Sequence, residues 1–369
     1  MKGVISMVNL SILDNLIKIR SDRDSSEILE YIKKEIEGKV EEIIEVKNKE
    51  DSKRNLIVGI NTKLRNVECL VLSGHIDTVG ADVEKYNTNP YSLVVDGDRA
   101  YGLGIIDMKC FTATVIDLID EIKLKQIPVI LALTGDEETT LYGVNNIICK
   151  FKELNIRPKF TIIGEPTSFE IKNVSNGCFE YKVEAFGKSC HSSTPKEGVN
   201  AICIIARLVS YIEELSFLYD ELTMSCDLIS GGTIINRVPD YASMSFDIRT
   251  INIDLFNDAI GKIEEKIKEL KNIYDCEIKI ENKLRIPPLS KNNYEVIEKL
   301  SKNLNLKVSK FLGGCEAGYY KEYSGDAILL GMGDLSLAHK PNEYMVVSDY
   351  KKYNSLLLKV IDLLKEMYF

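Results

Sequence analysis

The chain has 369 residues, 45% of them hydrophobic and 28% charged, with a formal net charge of −9 and a sequence pI near 5.2. That length exceeds one ordinary core and predicts two domains of conventional size. The acidic balance, with no basic stripe interleaved with aromatics, excludes a nucleic-acid binder, and no run approaches the roughly eighteen apolar residues that a membrane span needs.

Near its start the chain carries Lys2 but soon reaches polar Asn9, Ser11 and Asp14, so no signal peptide is expected and the cytoplasm is the default location. An amphipathic helix is predicted over 25–39. Four short apolar runs follow at 68–73, 128–133, 160–163 and 327–330, each the pattern of a fully buried strand. Helical stretches at 111–122 and 141–154 lie between them, and the alternation predicts an α/β layer with a largely parallel sheet.

From about Asn176 the pattern changes. A strand (179–186), a helix (200–215), two strands (224–229 and 242–248), a helix (253–270) and a strand (277–281) follow in β-α-β-β-α-β order. That order predicts a ferredoxin-like α+β domain, 176–284, inserted into a first domain formed by 1–175 and 285–369. Pro287-Pro288 marks the return of the chain, and 354–367 reads as a closing amphipathic helix. Lysines and glutamates alternate over 262–271, as on a solvated helix face. The nine cysteines are scattered singly, with no Cys-x-x-Cys pair, and are expected to be reduced and buried.

Only three histidines occur, His75, His191 and His339, and each sits in a segment suited to metal or acid–base chemistry. In open α/β sheets ligands gather at the carboxyl ends of strands, and the candidate ligands here lie past the apolar runs. His75 follows Val71-Leu72-Ser73-Gly74, and Asp77 two residues on can accept a bond from the second imidazole nitrogen. Gly102 and Gly104 let the backbone bend so that Asp107 can project, and its two oxygens can bridge two metals. Asp136-Glu137-Glu138 closes the 128–133 strand. Neighbouring side chains of an extended chain point to opposite sides, so one of Glu137 and Glu138 can bind metal while the other faces a water. Glu165, held extended by Pro166, ends the 160–163 strand, and His339 follows 327–330. Two His, one Asp and two Glu suit a pair of zinc ions sharing Asp107 and a water.

In these five segments, in order, the chain resembles the family of co-catalytic metallopeptidases and amidohydrolases that includes acetylornithine deacetylase, succinyl-diaminopimelate desuccinylase, aminoacylase and the glutamate carboxypeptidases. Gly164-Glu165-Pro166-Thr167-Ser168, His191-Ser192-Ser193-Thr194-Pro195, Cys315-Glu316-Ala317 and Ala338-His339-Lys340-Pro341-Asn342-Glu343 look most like the acetylornithine deacetylase branch. The Ser-Asp-Gly type segment of the desuccinylases is missing near Glu316, and Cys110 and Cys190 depart from the deacetylase pattern beside the site. The resemblance implies a zinc-peptidase-like catalytic domain with a mostly parallel mixed sheet and an inserted dimerisation, or lid, domain. It implies two zinc ions, replaceable by cobalt: His75 and Glu165 on one, Glu138 and His339 on the other, Asp107 on both. It further implies Glu137 as general base, Asp77 as the carboxylate behind His75, and His191 as an oxyanion donor reaching a neighbouring subunit of a homodimer. Asn236 and Arg249 match positions that grip a substrate carboxylate, and Glu316 is the candidate partner for a substrate ammonium. The expected activity is hydrolysis of an N-acyl amino acid, N-acetyl-L-ornithine first, with desuccinylase, dipeptidase or aminoacylase activity as alternatives. A non-catalytic binding protein on the same fold is disfavoured, because all five ligands and Glu137 are present.

Overall fold

A computed structural model describes residues 9–51 and 53–369. In chain order the first stretch forms α1 (Ser11–Lys18), α2 (Ser26–Ile36), β1 (Glu42–Lys47), β2 (Arg54–Ile60), β3 (Val67–His75), β4 (Val94–Asp96), β5 (Arg99–Tyr101), α3 (Cys110–Asp117), α4 (Ile119–Leu124), β6 (Val129–Thr134), α5 (Tyr142–Leu154), β7 (Ile156–Ile163) and β8 (Ile171–Ser175). The middle stretch forms β9 (Gly177–Phe186), α6 (Ala201–Ser216), β10 (Leu222–Gly231), β11 (Tyr241–Thr250), α7 (Ile253–Tyr274) and β12 (Glu277–Ile286). The last forms α8 (Tyr294–Leu304), β13 (Val308–Phe311), α9 (Ala317–Tyr323), β14 (Asp326–Leu329), β15 (Tyr344–Val346) and α10 (Val347–Tyr368). Two compact units result: one runs through Val174 and resumes over Lys291–Phe311 and Glu316–Phe369, the other comprises Ser175–Ser290 with Leu312–Cys315.

The first unit is built on an eight-stranded sheet of order β1-β2-β6-β3-β7-β14-β8-β13. Its centre is parallel, with β3 between β6 and β7 and β14 beyond β7. β6 reads Val-Ile-Leu-Ala-Leu-Thr and is buried at every position, as a strand covered on both faces must be. The flanks depart from the largely parallel expectation, because β1, β2 and β6 pair antiparallel. The short connection 48–53 between β1 and β2 can join antiparallel neighbours but cannot make a parallel crossover. The helix expected over 111–122 divides at Leu118 (φ −98°, ψ 7°), after a β-branched stretch of Thr114, Val115 and Ile116 that packs poorly in helical turns.

In the second unit the sheet order is β10-β11-β9-β12, antiparallel throughout, the ferredoxin-like arrangement expected from the element order. Along β11, Ala242, Met244, Phe246 and Ile248 are buried and pack with Ile204, Leu208 and Ile212 of α6 and Ala259, Ile263 and Ile267 of α7. Phe179 and Phe256 stack with ring centroids 3.6 Å apart. All nine cysteines are free, as expected, but only Cys69, Cys110, Cys178 and Cys315 are buried. Cys149 and Cys203 are exposed because they fall on outward faces of α5 and α6. Among the described residues no helix is long and apolar enough to cross a membrane.

Candidate metal centre

Three adjacent parallel strands, β6, β3 and β7, end together and deliver most of the site. His75 is the last residue of β3, level with Thr134 on β6. Glu137 and Glu138 follow β6, and Glu165 follows β7, where Gly164 packs so tightly on Phe111 that a Cβ would lie 2.0 Å from its ring. Asp107 comes from an irregular turn over Ile105–Lys109 (Asp107 φ −122°, ψ 84°), entered through Gly104 in the left-handed region at φ +68°. His339 also has positive φ, 59°.

The Asp107 carboxylate lies between two imidazoles, with Oδ1 2.9 Å from His75 Nε2 and Oδ2 3.2 Å from His339 Nε2. His339 Nε2 is also 2.9 Å from Glu138. Two donor groups result, His75–Asp107–Glu165 and Asp107–Glu138–His339, each with ligand atoms within 4.8 Å of one another. Each set offers an imidazole nitrogen and two carboxylates, which is donor chemistry that fits a pair of divalent cations. Asp77 organises the surroundings. Its oxygens accept from the backbone N–H groups of Glu137 (3.2 Å) and Glu138 (3.0 Å), and its backbone carbonyl is 3.1 Å from His75 Nδ1.

So much negative charge in a buried place displaces the titrations. Burial, then the Asp107 charge, pushes the Glu165 carboxyl up to about 8. Glu137 is raised well above the usual range by burial and by Glu165, Glu138 and Glu316. Burial opposes ionisation of Asp107, yet hydrogen bonds with His339 and His75 hold it well below the usual carboxylate range. His339 rises to about 10 through its contacts with Asp107 and Glu138.

The structure thus brings together all five expected ligands, Glu137 and Asp77. Asp136, the first of the three acids, is taken by the turn: it accepts from Gly143 N at 2.9 Å, Thr140 Oγ1 at 2.6 Å and Asn48 Nδ2 at 3.1 Å. Glu316 differs from the expectation that it meets a substrate ammonium. It is 1% exposed, and its carboxylate accepts from the hydroxyls of Thr134 (2.5 Å) and Ser73 (3.2 Å), residues at the ends of β6 and β3. Burial raises that carboxyl to about 7.

In the second unit, His191 is exposed, with Nδ1 2.7 Å from Ser193 Oγ, and its backbone bridges Arg237. Asn236 lies alongside, its carbonyl accepting from Ser192 N at 3.1 Å. Arg249 is apart from them at the other end of β11, on the order of 25 Å along the strand at about 3.3 Å per residue, paired to Asp247 at 2.9 Å. Sequence reasoning missed Lys109, 1% exposed, which donates to the Ile19 carbonyl at 3.0 Å and falls to about 8 through burial. It also missed a role for Glu343, 2% exposed. Its place in the His339 segment was the available signal for Glu343, and a position two residues after Asp107 that for Lys109.

Known proteins share both pattern and fold. Acetylornithine deacetylase of Buchnera aphidicola subsp. Acyrthosiphon pisum (strain Tuc7) is 30% identical over 311 residues, 79% of this chain and 80% of that protein. A Staphylococcus aureus tripeptidase superposes with TM-score 0.75 at 21% identity, covering 98% of this chain and 100% of the other. A dinuclear-metal-binding peptidase of Bacillus subtilis superposes with TM-score 0.68 at 14% identity, covering 96% and 98%. With the profile of peptidase family M20/M25/M40 matching residues 71–363, the chain belongs to that family of metal-dependent hydrolases.

Proposed function

We propose that the chain is a dizinc deacylase of the cytoplasm that hydrolyses N-acetyl-L-ornithine to L-ornithine and acetate, a step of arginine biosynthesis. The observation that carries this reading is the Asp107 carboxylate set between His75 and His339, with the Glu137–Glu138 backbone fastened beside it by Asp77. The deacetylase relative at 30% identity supports the choice of substrate.

His75, Asp107 and Glu165 would hold one zinc ion, and Asp107, Glu138 and His339 the other; cobalt would serve the same donors. When bound, such a pair polarises an acyl carbonyl and makes water a better nucleophile at neutral pH. Glu137 takes a proton from the attacking water and delivers it to the departing amine. Asp77 keeps the His75 imidazole and the Glu137–Glu138 turn in register. His191 donates to the oxyanion in the site of a second copy of the chain, which makes the working form a homodimer. Asn236 and Arg249 bind the substrate carboxylate; their separation within one unit is compatible with contributions to two different sites of that dimer. Glu316, enclosed behind the strand ends, is read as a support for Ser73 and Thr134 rather than a substrate contact.

Amine release from a panel of substrates tests the reading. N-acetyl-L-ornithine is expected to have a higher kcat/KM than N-succinyl-diaminopimelate or di- and tripeptides. Preference for the succinyl substrate, or for a peptide as the tripeptidase fold relative would suggest, overturns it. Mixing inactive His191→Ala and Glu137→Gln chains under subunit exchange should restore activity in about half the sites of each mixed dimer. No recovery despite exchange removes His191 from the neighbouring site.

A further inference from the structure

Asp107 can present one oxygen to each imidazole only if its backbone is held, and it lies in an irregular turn with no strand ladder to hold it. The restraint comes from 236 residues further along the chain. Glu343 Oε1 accepts from Ile106 N at 2.7 Å and Asp107 N at 3.3 Å, while Oε2 accepts from Gly104 N at 2.9 Å. The Glu343 carbonyl accepts from Gly102 N at 3.3 Å. One residue therefore engages four backbone N–H donors between Gly102 and Asp107, and burial makes each of those bonds costly to lose.

The attachment continues on both sides of Glu343. Tyr344, Met345 and Val346 of β15 pair with Tyr101, Ala100 and Arg99 of β5. On the other side, Asn342 Oδ1 accepts from Asn87 N at 2.7 Å, and the segment is shaped by two positive-φ residues three apart, His339 and Asn342. His339 is thus tethered through Glu343 to the turn that carries Asp107. The Asp107 and His339 donors of the second group depend on this fastening, and the first group depends on it through Asp107.

We propose that Glu343 is a positioning residue for both cation sites: its carboxylate fixes the turn from Gly104 to Asp107 and sets the aim of the Asp107 oxygens relative to His75 and His339. A carboxylate is suited to this because its two oxygens accept from diverging N–H groups at once. Glutamine keeps the shape but turns an amide donor towards Gly104 N or the Ile106–Asp107 pair, so one side of the clamp must open. The proposal rests on the reading of Asp107 as the ligand common to two cations.

Zinc titration of the metal-free protein against a competing chelator tests it, at a temperature where wild type and variant are both folded by circular dichroism. Glu343→Gln should weaken zinc at both sites, on the order of tenfold each, as loss of a group behind a ligand does. Glu138→Gln should weaken one site only. Visible absorption of the cobalt-loaded Glu343→Gln protein should also change in band position or intensity, which a lowered melting temperature alone does not cause. Wild-type uptake of two cations with variant affinities within twofold and an unchanged cobalt spectrum overturns the role of Glu343 alone; wild-type uptake of fewer than two overturns the shared-ligand reading and this proposal together. Hydrogen exchange of the metal-free wild type gives a measurement independent of the variant's folding. Peptides covering 102–107 should exchange far more slowly than the exposed turn at 96–98, and equal rates overturn the clamp.

Discussion

The two units treat charge in opposite ways. Among the described residues, the buried Asp, Glu, Lys and His side chains, His75, Asp77, Asp107, Lys109, Asp136, Glu165, Glu316 and Glu343, all belong to the first unit, whereas the buried polar residues of the second, apart from its cysteines, are Ser175 and Thr250. The second unit alternates buried apolar and outward polar residues along β11 and leaves its charges to solvent, including the Arg249–Asp247 pair. A sheet covered on one face can do that. The first unit has a parallel centre buried on both faces, so a charged residue at a strand end is desolvated and must be matched by a partner or a cation. Concentrated buried charge in one unit beside a conventional core in the other marks where chemistry, rather than folding, selected the residues.

Substitutions in the charged centre should change function most. Glu137→Gln is expected to keep both cations and lower kcat on the order of a hundredfold or more, as loss of a general base does, while Glu138→Gln lowers metal retention. Steady-state kinetics with elemental analysis check this, and the reverse pattern would exchange the two roles.

A second contrast concerns protons. At neutral pH the metal-free centre holds protons on Glu165, raised to about 8, and His339, raised to about 10. A cation must displace them, so apparent zinc affinity should rise with pH from 6 to 8, about tenfold per unit for each proton released. Calorimetry in buffers of different ionisation enthalpy measures the count, and pH-independent affinity would contradict the charge reading.

A smaller effect is expected at Glu316. Its folded carboxyl titrates at about 7, above the ordinary value of 4.5, so over that window the folded state binds more protons than the unfolded one. Stability of the metal-free protein should therefore fall as pH rises from about 4.5 to 7, a few kcal/mol at most. Glu316→Gln should flatten that slope and raise the melting temperature at pH 8; a slope as steep as wild type assigns the effect to other groups. In the second unit, Asp247→Asn should change stability least, by about 0.2–1 kcal/mol, because Arg249 is half exposed. A larger loss in denaturant unfolding would mean that this unit too depends on charge.

Much of the centre was legible in the chain itself. Continuous apolar runs such as 128–133 mark buried parallel strands, and residues just past them stand at the strand ends, so His75, Glu137, Glu138 and Glu165 could be assigned to one place. The inserted ferredoxin-like order was equally legible, because amphipathic strands and helices carry their period locally. Tertiary structure alone decided the rest. It turned Asp136 into the Gly143 turn, enclosed Glu316 between Ser73 and Thr134, set Arg249 far from His191 along β11, and joined Glu343 to Gly104 across 239 residues. Local pattern encodes periodicity and chain direction, which depend on near neighbours. The partner of a buried charge is chosen by desolvation in three dimensions, and that choice has no period in the sequence.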